Sequence, residues 1–137
     1  LMSDNTNNFQ LRVFYEDTDA GGIVYHANYL KFFERARTEW LRELGFQQTD
    51  FLEQKLGLVV RRVEMDNIAS AKLDDLLTIT SSISRLKRAS LVFKQEIINE
   101  QQQVLCRAEV QVACVNLTIS RPCAIPQAML GAFERVS

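Results

Sequence analysis

Several residue types from which active sites are built are nearly missing from this chain of 137 residues. Histidine occurs once, at His26, so a Ser-His-Asp triad must use that residue or not exist. The three cysteines, Cys106, Cys114 and Cys123, are odd in number and lack CxxC spacing. They suggest neither a disulfide framework nor a metal site. Cys106 and Cys114 stand eight apart on an apolar alternation and read as buried strand residues, and unbridged thiols fit a reducing cytoplasm. No excess of one charge sign exists: 16 Lys and Arg face 17 Asp and Glu, for a net charge of -1. That excludes a nucleic-acid binder driven by phosphate neutralisation. No apolar run approaches the ~20 residues of a transmembrane helix, and no basic-then-apolar leader marks secretion. Residues 1–8 end in the polar run from Ser3 to Asn8 and read as a disordered terminus, leaving 9–137 as one domain.

The remaining 47% hydrophobic residues are patterned. From Phe9 to Tyr15 the chain alternates with period two and predicts a strand, stopped by the turn-forming Glu16 to Gly22. Gly21 and Gly22 permit left-handed backbone there. From Asn28 the period becomes helical. Tyr29, Phe32, Phe33, Ala36, Trp40, Leu41 and Leu44 form one wide aromatic stripe, with charged residues opposite. Asn28 is placed to cap this helix and Gly45 to end it. A short helix is predicted from Thr49 to Lys55. Four strands follow: Leu58 to Asp66, Leu76 to Leu86, Leu91 to Ile98 and Val104 to about Leu117, with a polar turn at Asn99 to Gln102. Arg121-Pro122 closes the sheet and Ile125 to Val136 predicts a last helix. Strand, long helix, then strands means α+β with an antiparallel sheet.

Chemistry is concentrated between the first strand and the long helix, at Tyr15, Asp17, Thr18, Asp19, Gly21, Gly22, Tyr25, His26 and Asn28. A calcium loop starting at Asp17 fails at its twelfth position, which is Asn28 where a bidentate glutamate belongs. An aspartyl-phosphate reading of Asp17-Thr18-Asp19 requires a parallel α/β sheet that this strand order does not provide. The third reading sets a carboxylate beside a helix N-terminus, whose free amides can stabilise an oxyanion. Asp19 is then general base or nucleophile, with His26 and Tyr15 as polar neighbours, and acyl transfer or hydrolysis is the reaction class. Against it stands a purely structural reading in which Asp17 and Asp19 make Asx turns, His26 or Asn28 caps the helix, and Tyr25 and Tyr29 pack. Arg85, Lys87 and Arg88 are either a solvated turn or a phosphate contact, and Arg61 and Arg62 are equally open.

The run Tyr15-Glu16-Asp17-Thr18-Asp19-Ala20-Gly21-Gly22-Ile23-Val24-Tyr25-His26-Ala27-Asn28-Tyr29, continuing into Phe32-Phe33-Glu34-Arg35-Ala36-Arg37, resembles the hotdog-fold thioesterases related to 4-hydroxybenzoyl-CoA thioesterase. With Ala71-Lys72-Leu73-Asp74-Asp75-Leu76 and Arg88-Ala89-Ser90 it resembles most the YbgC-like branch, associated with the Tol–Pal envelope system. The likeness extends over nearly the whole domain, from Phe9 to Phe133.

The resemblance implies a five-stranded antiparallel sheet wrapped around a long central helix, in protomers that pair their sheets as dimers and dimers of dimers. It implies an acyl-CoA thioesterase with Asp19 as catalytic carboxylate, Tyr15 and His26 lining the site, and Tyr25, His26 and Gly22 around the oxyanion and substrate. Arg85, Lys87 and Arg88 are candidates for the CoA phosphates. No cofactor or metal is implied, because the CoA thioester is the substrate. Acyl carrier protein is a further partner to consider, while nucleic acid and membrane insertion are not expected. A non-catalytic acyl-CoA or acyl-carrier-protein binding module on the same fold is the alternative, since fold does not fix function.

Overall fold

The computed structural model describes residues 5–137. The start of the polar run at Ser3 therefore lies outside the described residues. Strand β1 (Asn7–Arg12) is followed by helix α1 (Asn28–Glu43), a short α2 (Gln48–Glu53), then β2 (Leu56–Asn67), β3 (Leu76–Leu86), β4 (Ser90–Ile98), β5 (Val104–Asn116), a two-residue β6 (Arg121–Pro122) and α3 (Gln127–Arg135). All pairings are antiparallel, in the order β1-β3-β4-β5-β2, with β6 continuing beside β5. Every predicted element except the first strand is recovered within two residues of its expected ends. β6 adds a sixth short strand to the five expected, at the predicted Arg121-Pro122.

Alternation explains the curl. Along β3 and β4, Leu77, Ile79, Ile83, Leu91, Phe93 and Ile97 are buried on one face, and β5 adds Cys106, Ala108, Val110, Val112 and Cys114. This inner face closes over α1, whose Tyr29, Phe32, Phe33, Ala36, Trp40 and Leu41 are buried. Complete burial of Phe32 and Phe33 alone is worth ~3–6 kcal/mol. The helix stops as its sequence demands. Gly45 takes φ 97°, its N–H reaches the Arg42 carbonyl at 3.0 Å and the Phe46 N–H reaches Leu41 at 2.8 Å, a Schellman closure.

Between α1 and the sheet lies a polar node. Gln95 is 1% exposed; its Nε2 donates to the Phe33 carbonyl at 3.1 Å and the Ser81 hydroxyl at 2.9 Å. Its Oε1 accepts from Arg37 Nη1 at 2.8 Å. Burial pulls the Arg37 guanidinium down to about 10, against a smaller upward pull from Glu34. A half-buried cation held by a buried neutral amide makes the placement of α1 on the sheet specific as well as apolar.

Three local expectations are corrected. Asn7 and Asn8, expected in the disordered terminus, pair with Ser81 and Thr80 in β1, because a ladder needs only backbone, and Asn7 also donates to Glu43 at 2.7 Å. The first strand ends at Arg12, not Tyr15. Tyr15–Asp17 is one 3-10 turn, held by the Asp17 carboxylate accepting the Phe14 N–H at 2.9 Å. Asn28 is the first helical residue instead of the cap, which is Ala27, and its amide is drawn backward to donate to the Asp17 carbonyl at 2.8 Å.

Candidate active site

The loop between β1 and α1 is folded onto the segment between β2 and β3. Asp19 N–H donates to the Ile23 carbonyl at 3.0 Å and Gly22 N–H to the Asp19 carbonyl at 3.1 Å, making a tight turn. Gly22 sits at φ 77°, a conformation that costs L side chains ~1–2 kcal/mol. Gly21 does not, so only one of the two glycines is needed for left-handed backbone. A Cβ on Gly21 would instead stand 3.3 Å from Asp19 Oδ1. The turn is then stitched down: Val24 N–H to Ala71 at 2.8 Å and Leu73 N–H to Gly22 at 3.0 Å.

Tyr29, in the first turn of α1, secures the other side. Its hydroxyl accepts the Ala71 N–H at 2.9 Å and donates to the Ala69 carbonyl at 3.3 Å. Its ring is buried, and burial raises the phenol above its ordinary value, against the lowering effect of the Ala71 amide.

The result is a cleft of about 380 Å³ whose lining includes Asp19, Tyr25, His26, Tyr29, Asn67 and Ser70. Asp19 is exposed, and the Gly21 N–H donates to its Oδ1 at 2.8 Å. That bond fixes the carboxylate and leaves Oδ2 without a hydrogen bond among the described residues. Tyr25 and His26 stack obliquely, ring centres 4.7 Å apart. The Asn28, Tyr29 and Leu30 amides are consumed by Tyr25, His26 and Ala27 carbonyls in the first turn. The His26 and Ala27 amides donate to no acceptor among the described residues, and so are the donors available to an incoming oxyanion. A carboxylate held by one amide and an imidazole thus share one cleft beside the start of α1.

The expected residues are therefore brought together unevenly. Asp19, Tyr25 and His26 share the cleft. Gly22 shapes the turn behind it, and Tyr15, 79% exposed on its 3-10 turn, is not part of the lining. Asp17 is buried and its carboxylate accepts the Phe14 amide three residues back, a structural role although not the Asx turn expected of it. Arg85, Lys87 and Arg88 lie at the far end of β3 and the start of β4. The 11 residues from Leu76 to Leu86 span ~33 Å. Arg85 and Lys87 border, with Arg62, Glu64 and Glu109, a hollow of about 480 Å³ on the outer face of the sheet. That hollow and a neighbour of about 610 Å³ are larger than the cleft, but they carry exposed charges of both signs and neither His26 nor free helix-start amides. Sequence reasoning missed Asn67 and Ser70, which no local pattern marks, and took Tyr29 as packing only.

A curled antiparallel sheet around a central helix, with this cleft at the helix start, defines the class: a hotdog-fold thioesterase. The thioesterase-like superfamily matches residues 13–133. The "Acyl-CoA thioesterase YbgC" of Haemophilus influenzae is 48% identical over 136 residues, covering 98% of this chain and 99% of that one. The "Acyl-CoA thioester hydrolase YbgC" of Escherichia coli O6:H1 is 44% identical over 133 residues, covering 96% and 99%. Among solved structures, a probable thioesterase from Bartonella henselae superposes with a TM-score of 0.84 at 41% identity, over 88% of this chain and 99% of that one. The chain belongs to the thioesterase-like superfamily and, within it, to the YbgC-like branch.

Proposed function

We propose that Asp19 performs the chemistry of this chain, an acyl-CoA thioester hydrolase by its kinship with the YbgC proteins. The observation that carries the proposal is the fixed carboxylate of Asp19 in the same cleft as His26, at the start of α1 where the His26 and Ala27 amides have no acceptor among the described residues. The thioester carbonyl oxygen docks at the His26 and Ala27 N–H groups, where the helix N-terminus favours developing negative charge. Asp19 Oδ2 then draws a proton from an attacking water, or attacks the carbonyl carbon itself to give a mixed anhydride that water opens. In either route the carbon–sulfur bond breaks and CoA leaves as thiolate, a leaving group that needs no strong acid. His26 and Tyr25 orient the acyl group or the water, and Tyr15 stands at the outer rim.

The same reading places the enzyme in the cytoplasm as a homo-oligomer. β2 is a sheet edge of 12 residues with one row of unpaired backbone groups and exposed Val59 and Val60, an edge that invites pairing. Two β2 edges paired antiparallel run the Leu56 end of one copy beside the Asn67 end of the other. Arg85, Lys87 and Arg88 of one copy then lie on the side of the other copy's cleft, where CoA phosphates extend.

The test is thiol release from a panel of acyl-CoA thioesters, from acetyl to palmitoyl with benzoyl, by wild type and Asp19→Asn. The expected result is turnover that falls at least ~100-fold in a folded Asp19→Asn protein, with His26→Ala costing less. Near-wild-type turnover in Asp19→Asn removes Asp19 from its role, and an equal loss in His26→Ala makes His26 the base. In the same assay Lys87→Ala raises KM for CoA thioesters more than for truncated N-acetylcysteamine thioesters; equal effects remove the phosphate contact. The competing reading, a binding module, requires tight acyl-CoA binding without any turnover.

A further inference from the structure

The end of the sheet remote from the cleft carries two thiols in contact. The register of β5 with β6 pairs Val115 with Pro122 and so sets Cys114 opposite Cys123, whose N–H donates to the Cys114 carbonyl at 2.9 Å. Residues opposite one another in an antiparallel pair have Cα atoms ~4.5–5.5 Å apart, inside the range that a disulfide spans. The two Sγ atoms are 3.4 Å apart. Cys114 is completely buried, whereas Cys123 is partly exposed. Cys106 is also buried, eight residues away along β5 against Asn67, and contacts no second thiol.

We propose that Cys114 and Cys123 form a reversible dithiol–disulfide pair, a modification site oxidised by low-molecular-weight disulfides. Exposure assigns the order of events. The Cys123 thiolate attacks one sulfur of oxidised glutathione, the glutathione S–S bond breaks, and one glutathione leaves as thiolate and takes up a proton. Cys114 then gives its proton to water and attacks the Cys123 sulfur of the mixed disulfide. The Cys123–Cys114 bond forms, the Cys123–glutathione bond breaks and the second glutathione leaves. Two cysteine thiols lose two electrons and two protons, and one glutathione disulfide becomes two glutathione thiols. The sulfurs need only close from 3.4 Å to about 2.05 Å. Burial pushes the Cys114 thiol up to about 12, so the second step is the slow one and mixed disulfide precedes the closed form.

The bond has a structural consequence. Two residues past Cys123, the Ile125 N–H is bound to the Arg88 carbonyl at 2.9 Å, and α3 then lays Phe133 edge-on against Phe93, ring centres 6.5 Å apart. A disulfide at 114–123 ties the chain leading into α3 to the central sheet, at the end of the sheet opposite the chain's own cleft.

The test incubates the native full-length chain with oxidised glutathione, quenches in acid, alkylates and records intact mass and a non-reduced peptic digest. Arg121-Pro122 resists trypsin, so pepsin is needed to separate the two cysteines. The expected product is 2 Da lighter before alkylation, holds one alkylated thiol, at Cys106, and links residues 114 and 123. Cys114→Ser is expected to stop at a glutathione adduct on Cys123, and Cys123→Ser to remain unmodified. The oxidised wild type melts at a higher temperature than the reduced form, and dithiothreitol reverses the shift. A stable glutathione adduct in wild type, a link through Cys106, three alkylated thiols after equilibration, or an unchanged melting temperature in the linked protein each overturns the proposal.

Discussion

Removing one oxygen, by Tyr29→Phe, tests how the cleft is built. The hydroxyl of Tyr29 holds two backbone groups of the Ala69–Ala71 segment, the Ala71 N–H at 2.9 Å and the Ala69 carbonyl at 3.3 Å. Ala71 is completely buried, so water cannot replace the lost acceptor without entering the core. A buried donor left unsatisfied costs ~1–3 kcal/mol, and the longer bond to Ala69 adds little. Phenylalanine keeps the ring, so the ~1–3 kcal/mol is not diluted by a cavity. With a urea m-value of ~2 kcal/mol per molar, the unfolding midpoint falls by ~0.5–1.5 M with m unchanged, at fixed protein concentration. The consequence for the site follows from the same bonds. Ala69 and Ser70 line the cleft, and Ala71 also accepts the Val24 amide at 2.8 Å, so loosening this segment loosens the wall opposite Asp19. The variant therefore lowers kcat in the thiol-release assay while remaining folded, and hydrogen exchange rises at Ala71 before it rises in β3 or β4. A midpoint within ~0.2 M of wild type, together with protected Ala71 exchange, would refute the claim that the hydroxyl carries the segment.

Two further perturbations probe the rest of the molecule. Gln95→Leu removes the amide that joins Phe33, Ser81 and Arg37, and leaves a half-buried guanidinium without its partner beside a buried carbonyl and hydroxyl. It should cost ~1–3 kcal/mol in urea titration, and Arg37→Met combined with it should recover part of the loss; an additive double variant argues against the node. Alkaline titration addresses the buried acids. Burial pushes the Cys106 thiol from 9.0 up to about 12, with a smaller push from Asp66, and Cys114 likewise. Between those values the unfolded chain has released protons that the folded chain retains, so this contribution is complete below pH 9 and is lost as pH rises toward 12. Tyr29 acts with the same sign above pH 10. Urea midpoints at pH 8, 9.5 and 11 should fall, and fall less in Cys106→Ala; parallel curves for the two proteins contradict the assignment.

Periodicity carried most of the fold into the sequence. The α1 stripe, its Gly45 stop and the alternation along β3, β4 and β5 are long patterns in which every position repeats the same message, and their elements form where expected. What was illegible lies where single side chains outbid a pattern. Phe9 to Tyr15 alternates well enough for a strand, yet Asp17 captures the Phe14 amide and turns the chain two residues after Arg12. Asn28 has the composition of a cap, but the carbonyl of Asp17 offers its amide a partner on the preceding turn. The hydroxyl of Tyr29 was hidden by its ring: an aromatic residue in an apolar stripe reads as core, and only the segment 42 residues later gives the oxygen something to do. Asn67 and Ser70 reach the cleft by the same long-range folding, and nothing near them in the chain announces it.

The pair Asp17 and Asp19 differs in how far the fold already uses each carboxylate. Two carboxylates two residues apart are equivalent to any local rule, and both were open to reading as Asx turns. Only Asp19 makes that turn, accepting the Gly21 amide two residues on, while Asp17 accepts the Phe14 amide three residues back. The difference is burial. Asp17 is 8% exposed, its carboxylate is committed to Phe14 and its carbonyl to Asn28, so it is a structural pin of the loop. Asp19 is exposed with one oxygen held and the other free, beside an imidazole and amides that the helix leaves without acceptors. A carboxylate that is positioned but not consumed can still do work on a substrate. The prediction distinguishes the two by kind of damage: Asp17→Asn weakens the acceptor of the Phe14 N–H and lowers stability with turnover of the folded fraction preserved, whereas Asp19→Asn keeps the Gly21 contact and loses turnover. Urea midpoints and kcat measured on both variants decide it, and a reversal of the pattern would assign the chemistry to Asp17.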